Sequence, residues 1–506
     1  MDELRIKVGK DIGSESLSFS SALKDNIFVK KMNNPIGYVL LTILCVALGI
    51  VVISEGLTAV VLILVALIGI PIAYGIMFFP KFGIITLLIS AYFIMWFSHM
   101  GFDYPFGTVI DSIELLLIIG FFIKQKKQPN WGIFKSSISV LILIWVAYNI
   151  LQIANPIAES RLTWLYTIRS VAAVMIMYFV FVYHIRSAEF IKLLIKIWIG
   201  LTIIGAIYAF WQEFMGFFPF EERFINSDPK YRNLLFIAGR WRKFSIYSDP
   251  VAFSYNMVIS TVLCVVMMLN RMKLWKKVML GVLAFFFIWA MIFSGTRGAY
   301  VLIPAALGLL VLLKLNRTIL IFASAGFILL AFFVYVPTSS YNIRRFQSAF
   351  KPSQDASFNV RAINQKRIQP YIQEHPFGAG LGAVSLTGKQ MVRHSVLTGF
   401  APDSGYVRVA VELGWIGLLL FCTLLFGIVR SGINNYFKIR DPELQNYCLA
   451  MTLIAFVLAI GSYPQEAIVQ FPTSIYFYLV VAIITITRQL DEKNYPKEKP
   501  PVKRLI

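Results

Sequence analysis

The sequence predicts an all-α polytopic membrane protein with about 12–14 transmembrane helices. Of its 506 residues, 58% are hydrophobic and only 14% are charged, whereas roughly 25% are charged in an average soluble domain. Apolar runs near or above the roughly 20 residues that span a bilayer recur along nearly the whole chain. These runs are too many for the core helices of a soluble protein, so we expect them to pack together as membrane spans.

About fourteen apolar runs are the predicted spans. They lie near residues 36–54, 57–79, 82–98, 107–123, 137–154, 167–185, 192–213, 250–269, 277–294, 298–314, 317–336, 405–428, 444–462 and 470–488. No short apolar region with a small-residue cleavage site precedes them, so the first span is expected to insert the protein.

The basic residues between the spans predict the orientation. If the amino terminus is cytoplasmic, the inner loops hold Lys124, Lys126, Lys127, Arg186, Arg271, Lys273, Lys276, Lys277, Lys314, Arg317, Arg430, Lys438 and Arg440. Each cluster obeys the positive-inside rule, and the basic tail after residue 488 also lies inside. The net charge of +21 is therefore assigned to loops that face anionic lipid, and no nucleic-acid partner is expected.

This orientation divides the chain into membrane and loop segments. We predict a cytoplasmic tail at 1–34, spans at 35–213, an outer loop at 214–249, spans at 250–336, a large outer loop at 337–404, spans at 405–488 and a cytoplasmic tail at 489–506. The cysteines, Cys45, Cys264, Cys422 and Cys448, all fall in apolar runs and are expected to be free thiols. They bear on neither the function nor the redox compartment.

Both outer loops are basic. The first carries six basic and four acidic residues, and the second carries eight basic and three acidic residues. Long loops are less bound by the positive-inside rule, so solvated surface is one interpretation. The other is phosphate binding, because the guanidinium fork of arginine binds phosphate through two parallel hydrogen bonds.

Arg297 is the most conspicuous of the outer charges. It lies in the sequence Ser-Gly-Thr-Arg-Gly at residues 294–298, a short turn between two long apolar runs. An ionisable residue at the membrane is by default a functional candidate. The alternatives are that Arg297 extends to the lipid headgroups or pairs with a carboxylate such as Glu412.

Two other turns have structural interpretations. Asp249 precedes Pro250, an arrangement typical of a capped helix start. The run Gly-Ala-Gly-Leu-Gly at residues 378–382 lacks the strand and helix that a dinucleotide-binding fingerprint requires. It predicts a flexible loop near the membrane surface.

The region from about residue 240 to 430 resembles the O-antigen ligase and polymerase superfamily of bacterial membrane glycosyltransferases. Residues 294–298 resemble that family's Ser-x-Ser-Arg-Gly element, with Thr296 in place of the second serine. Arg361 followed by Pro-Phe-Gly-Ala-Gly at 376–380 resembles the arginine and the Pro-hydrophobe-Gly-x-Gly pattern of the large periplasmic loop.

A third element resembles the ligase motif of His, then Asn, Ser or Gln, nine residues, and Gly-x-x-Gly. Here Asp403 and Ser404 precede nine residues and the glycines at 414 and 417, so aspartate stands at the histidine position. His394 offers a second register, but Arg408 occupies the place of its second glycine. We therefore prefer the register that begins at Asp403.

The resemblance implies a donor glycan on undecaprenyl pyrophosphate, an acceptor glycan or lipid A core, and no metal or cofactor. Arg297 and Asp403 are the implied catalytic residues: Arg297 stabilises the departing pyrophosphate, and Asp403 orients or deprotonates the acceptor hydroxyl. Asp403 could instead cap the following helix. The predicted residues for binding pyrophosphate or glycan are Arg240, Arg242, Arg361, His375 and His394.

The resemblance also places the chain as a multi-pass protein of the bacterial inner membrane, with one large and one medium periplasmic loop. A polymerase of surface polysaccharide is preferred, because the ligase histidine is missing; a ligase remains the alternative. A lipid-linked oligosaccharide flippase also has about fourteen spans, but many transporters show two repeated halves, and no repeat is visible here. A scaffold in a secretion machine would leave Arg297 unexplained.

Overall fold

The computed structural model describes residues 34–101, 105–237, 239–339, 341–350, 356–385, 397, 400 and 402–496. Residues 1–33 of the predicted amino-terminal tail, His394 and the end of the carboxy-terminal tail lie outside these residues. The chain divides into two compact units, residues 1–74 and 75–506. In the described part of the first unit, α1 covers Pro35–Glu55, and α2, Leu57–Phe78, begins there.

The second unit is a helical bundle. Its first spans are α3 (Pro80–His99), α4 (Gly107–Lys127), α5 (Ser137–Leu151), α6 (Arg161–His184) and α7 (Ala188–Phe214). The next are α10 (Pro250–Met267), α11 (Leu274–Phe293), α12 (Arg297–Leu313) and α13 (Arg317–Tyr335), and the last are α16 (Gly405–Lys438), α17 (Pro442–Gly461) and α18 (Thr473–Asn494). Together with α1 and α2, fourteen described helices coincide with the predicted spans.

The all-α membrane fold is confirmed. Ten of the described helices are long and apolar enough to cross a membrane. The centre of the second unit consists of α10, α17 and α18, in which 94%, 78% and 83% of the spanning window is buried. By contrast, 33% of α5 and of α11 is buried, which leaves most of their surface for lipid.

Polar side chains join the central helices inside the bundle. Thr202 Oγ1 lies 2.8 Å from Ser260 Oγ, and Asn256 Nδ2 donates to Thr473 Oγ1 at 3.1 Å. Hydrogen bonds between membrane helices satisfy groups that lipid cannot. They fix α7, α10 and α18 relative to one another.

The two predicted outer loops contain further structure. The first holds two short helices, α8 (Pro219–Ser227) and α9 (Pro229–Leu235), and a hairpin of β1 (Phe236–Ile237) and β2 (Arg240–Trp241). The second holds α14 (Tyr341–Ser348) and α15 (Ala356–Glu374). The cap predicted at Asp249 is confirmed, because its Oδ1 accepts from Val251 N at 2.7 Å and from Ala252 N at 3.0 Å.

Candidate functional site

The turn that carries Arg297 is held by its own hydroxyl groups. Thr296 Oγ1 donates to Pro250 O at 3.1 Å, and Thr296 N donates to Ser294 Oγ at 3.1 Å. Both side chains are buried. Threonine supplies the hydroxyl that the family's second serine would supply, so the exchange preserves the turn.

Two other arginines also hold this turn. Arg242 is 9% exposed, and its guanidinium donates to Ser294 O at 2.8 Å, to Thr296 Oγ1 at 3.0 Å and to Leu234 O at 3.2 Å. Arg345 Nε donates to Gly295 O at 2.7 Å. Arg242 thus ties the first outer segment to the start of α12, and Arg345 ties α14 to the same place.

Arg297 is the first residue of α12 and borders a cavity of about 950 Å³ between α12, α15, α16 and α17. We call it the Arg297 cavity. Arg361, Gln365, Tyr406 and Tyr463 line the same end. The rest of the wall is mainly apolar and follows the helices toward their far ends, with Leu309, Leu425, Phe426, Val429, Ile433 and Phe456. The cavity therefore combines a cationic end with an apolar channel.

Arg361 brings Asp403 to this end of the cavity. Arg361 Nε lies 3.9 Å from Asp403 Oδ2, and the two side chains are 26% and 47% exposed. The cap of α16 is Ser404, whose Oγ accepts from Val407 N at 3.5 Å. The capping alternative for Asp403 is therefore wrong, and its carboxylate faces Arg361 instead.

The motif glycines form a joint between two backbones. Ala379 N donates to Val411 O at 2.9 Å, and Gly380 N donates to Glu412 O at 2.9 Å. Gly414 has φ +70° and ψ −178° inside α16, and a Cβ there would collide with Pro376 O. Since an L side chain rarely adopts this backbone conformation, only glycine suits the joint.

Residues 378–384 are buried at this joint, which corrects the prediction of a flexible loop. The turn is further anchored by Asn155, whose Nδ2 donates to Phe377 O and to Gly378 O, both at 3.1 Å. Hydropathy could not reveal the joint, because the apolar run of α16 continues through Gly414 and gives no sign of the kink there.

A partly buried ion-pair network lies next to the joint and was not predicted from the sequence. Arg408 Nε lies 3.3 Å from Glu412 Oε1, and Arg408 Nη1 lies 2.6 Å from Glu466 Oε2. Glu412 Oε1 also accepts from Val384 N at 3.3 Å. Glu412, offered as a partner for Arg297, therefore pairs with Arg408. The spacing of four residues between Arg408 and Glu412 on one helix face was a signal that could have revealed the pair.

Glu466 lies in the connection between α17 and α18, beside the cavity residues Tyr463 and Pro464. Burial raises the pKa of its carboxyl, and the neighbouring Arg408 opposes this shift. The network thus fixes the loop that forms part of the cavity's cationic end.

The remaining predicted residues lie elsewhere. His375 follows α15, where its ring stacks on Tyr371 at 4.1 Å between centroids and its Nδ1 lies 2.8 Å from Tyr371 O. Arg240 is exposed on β2, close in sequence to the buried Arg242. His394 lies outside the described residues. The structure therefore brings Arg297, Arg361 and Asp403 together, and their roles stay predictions.

The fold and this site define a multi-pass membrane protein whose apolar cavity is bordered by arginines at one end. Residues 282–422 match the family model described as O-antigen ligase. This match supports the resemblance to the O-antigen ligase and polymerase superfamily that the sequence predicted. The match includes Arg297, Arg361 and Asp403 and excludes Arg240 and Arg242. A search of the curated proteins found no match.

The matched region supports a function of the O-antigen ligase or polymerase type in general. It implies lipid-linked glycan substrates and a membrane environment.

Proposed function

We propose that the protein transfers glycan from undecaprenyl pyrophosphate to an acceptor sugar at the periplasmic face of the bacterial inner membrane, as a polymerase of surface polysaccharide. The observation that carries the proposal is the Arg297 cavity. Its cationic end suits a pyrophosphate, and its apolar channel between α12, α16 and α17 suits a polyprenyl chain.

Arg297 and Arg361 are the proposed pyrophosphate ligands. Both border the cavity at the same end, where their guanidinium groups can each offer two parallel donors to phosphate oxygens. Negative charge builds on the pyrophosphate as its bond to the sugar breaks. Fixed cations that meet this charge stabilise the transition state more than the ground state.

Asp403 is the proposed base. The acceptor hydroxyl oxygen attacks the anomeric carbon, its proton passes to the Asp403 carboxylate, and the bond to the lipid pyrophosphate breaks. Arg361 lies between the two halves of this reaction, because it borders the cavity and faces Asp403 at 3.9 Å. No redox partner is needed, since the reaction exchanges one acetal bond for another.

Arg242 receives a different role from the one first predicted. Its guanidinium already donates to three protein oxygens, so we propose that it positions the turn before Arg297. Arg240, His375 and His394 keep their predicted role in binding pyrophosphate or glycan.

Two candidate functions, polymerase and ligase, differ in the acceptor that receives the glycan. Asp403 stands where ligases have histidine, which favours a polymerase. The description of the matched family favours a ligase, which would attach glycan to lipid A core. A glycan ladder from a deletion strain distinguishes them: one repeat on the core indicates a lost polymerase, and accumulated long lipid-linked chains indicate a lost ligase. An unchanged ladder and an unchanged pool of lipid-linked glycan would contradict both.

Complementing that strain with Arg297→Lys tests the cavity itself. Lysine keeps the charge but loses the planar fork, so we expect product to fall about tenfold or more at normal protein level. Arg344→Lys is the matched control, because Arg344 is an exposed arginine of α14 and does not line the cavity. Equal output from wild type and Arg297→Lys would remove Arg297 from the chemistry.

A further inference from the structure

A second cavity lies at the other end of the bundle. The Arg297 cavity includes Tyr406, near the start of α16, whereas the second cavity, of about 600 Å³, includes Lys438 at the end of the same helix. Its walls are the start of α5, the end of α16 and the end of α18. It is therefore separate from the site proposed for glycan transfer.

Hydrogen bonds between the helices hold the walls of this second cavity in place. Gln489 Nε2 donates to Ile133 O at 2.7 Å, and Asn435 Nδ2 donates to Ile484 O at 3.0 Å. The backbone N–H of Arg440 donates to Asp491 Oδ1 at 2.9 Å. These bonds join the segment before α5, the end of α16 and the residues just after it to α18, so they hold the walls of the cavity together.

The charges in the wall do not balance. Four basic residues line the cavity, Lys135, Lys438, Arg440 and Arg488, against two carboxylates, Asp491 and Glu492. Arg488 pairs with both carboxylates, at 3.5 Å to Asp491 Oδ2 and 2.7 Å to Glu492 Oε1. Among the described residues, no carboxylate forms an ion pair with Lys135, Lys438 or Arg440. Three cations thus face one polar cavity without a counter-charge.

We propose that this second cavity binds the phosphate group of an anionic ligand. Lysine and arginine side chains are the usual protein cations for phosphate. The exposed ring of Trp131 lies just before Lys135, and tryptophan favours the level of the lipid headgroups. The positive-inside rule explains basic residues at this end, but it does not require that three of them line one cavity.

Two sources could supply this phosphate, the headgroup of an anionic phospholipid or a soluble phosphate ester. The test uses full-length protein purified in neutral detergent. The probes are phosphatidylglycerol, with phosphatidylcholine as its neutral counterpart, and glycerol 3-phosphate. Binding is measured by native mass spectrometry and by the shift in melting temperature during titration.

The test variant is Lys135→Gln, Lys438→Gln and Arg440→Gln in one chain, which keeps the backbone contacts of residues 438 and 440. The control is Lys273→Gln, Lys276→Gln and Lys277→Gln, which removes the same charge from the start of α11, also predicted to lie inside. We expect affinity for the binding probe to fall at least about tenfold in the cavity variant and to stay near wild type in the control.

Binding of phosphatidylglycerol alone would identify a lipid site, and binding of glycerol 3-phosphate would identify a soluble ligand. The proposal is overturned if neither probe binds wild type, if the cavity variant binds as wild type does, or if both triple variants lose binding equally. Should the cavity variant melt abnormally without ligand, the single change Arg440→Gln repeats the measurement with the same criteria.

Discussion

Asp403 and Ser404 are neighbours in sequence with separate tasks in the structure. Ser404 caps α16 and is buried, whereas Asp403 is half exposed and faces Arg361. Where an aspartate precedes a serine at the start of a helix, the side chain of either residue can cap the helix. Which oxygen reaches Val407 N depends on the backbone, so the sequence left both choices open.

Their substitutions should separate chemistry from stability. Asp403→Asn keeps the size of the side chain but removes its basicity, so we expect glycan output to be lost at an unchanged melting temperature. Ser404→Ala removes the cap and should cost about 1 kcal/mol of stability, while some activity remains. Glycan assays and thermal melts of both variants test these two expectations. Normal output from Asp403→Asn would show that the base lies elsewhere.

Arg240 and Arg242 offer a second matched pair. Arg242 is buried with three acceptors, so Arg242→Ala leaves carbonyl oxygens without donors and should cost about 2 kcal/mol or more. It should also lower activity by loosening the turn before Arg297. Arg240→Ala changes an exposed side chain and should weaken use of the donor without altering the melting temperature. If both variants have the melting temperature and the activity of wild type, Arg242 does not position the turn and Arg240 does not bind the donor.

At the scale of elements, the kink in α16 links the two glycine motifs of the family. At 1.5 Å per residue, its 34 residues extend about 51 Å, which exceeds the roughly 30 Å of hydrocarbon in a bilayer. Gly414 bends the helix near its start, so Arg408 and Glu412 lie in the segment before the bend. That segment carries the contacts to the turn at 376–380.

Gly414→Ala should break this joint. The backbone conformation of Gly414, with positive φ and extended ψ, is essentially restricted to glycine and costs alanine about 1–3 kcal/mol, and the collision with Pro376 O adds to that cost. We expect a lower melting temperature and a loss of activity. Gly200→Ala is the control, since no heavy atom lies within 4 Å of a Cβ at that helical glycine. If the two variants melt alike, the joint contributes nothing to stability.

The spans could be predicted from the sequence because each is a local property of hydropathy. The cap at Asp249 was equally local. The joint between residues 376–380 and 411–416 depends on contacts across more than thirty residues, and no local pattern encodes it. For the same reason, Arg242 could not be distinguished from Arg240: both were basic residues in one loop, and only tertiary packing buries one of them.

At the scale of the whole molecule, the two cavities differ in the surface they offer. The Arg297 cavity is mainly apolar along α12, α16 and α17, which suits a chain that enters from the bilayer. The second cavity is mainly polar and lies at the other end of α16. If the predicted orientation is correct, one opens toward the periplasm and the other toward the cytoplasm.

The last prediction is that orientation: both termini inside, and the segments at 214–249 and 337–404 outside. It rests on the positive-inside rule, which short loops obey most strictly. An even number of spans, such as the fourteen predicted here, returns the chain to its starting side, in agreement with two inner termini. Alkaline phosphatase should therefore be active when fused within roughly 340–400 and inactive when fused after residue 488, because it folds only outside the cytoplasm. A cytoplasmic reporter at the same positions is the control and should give the opposite pattern. The reverse result with both reporters would place the Arg297 cavity in the cytoplasm, where the proposed transfer at the periplasmic face could not take place.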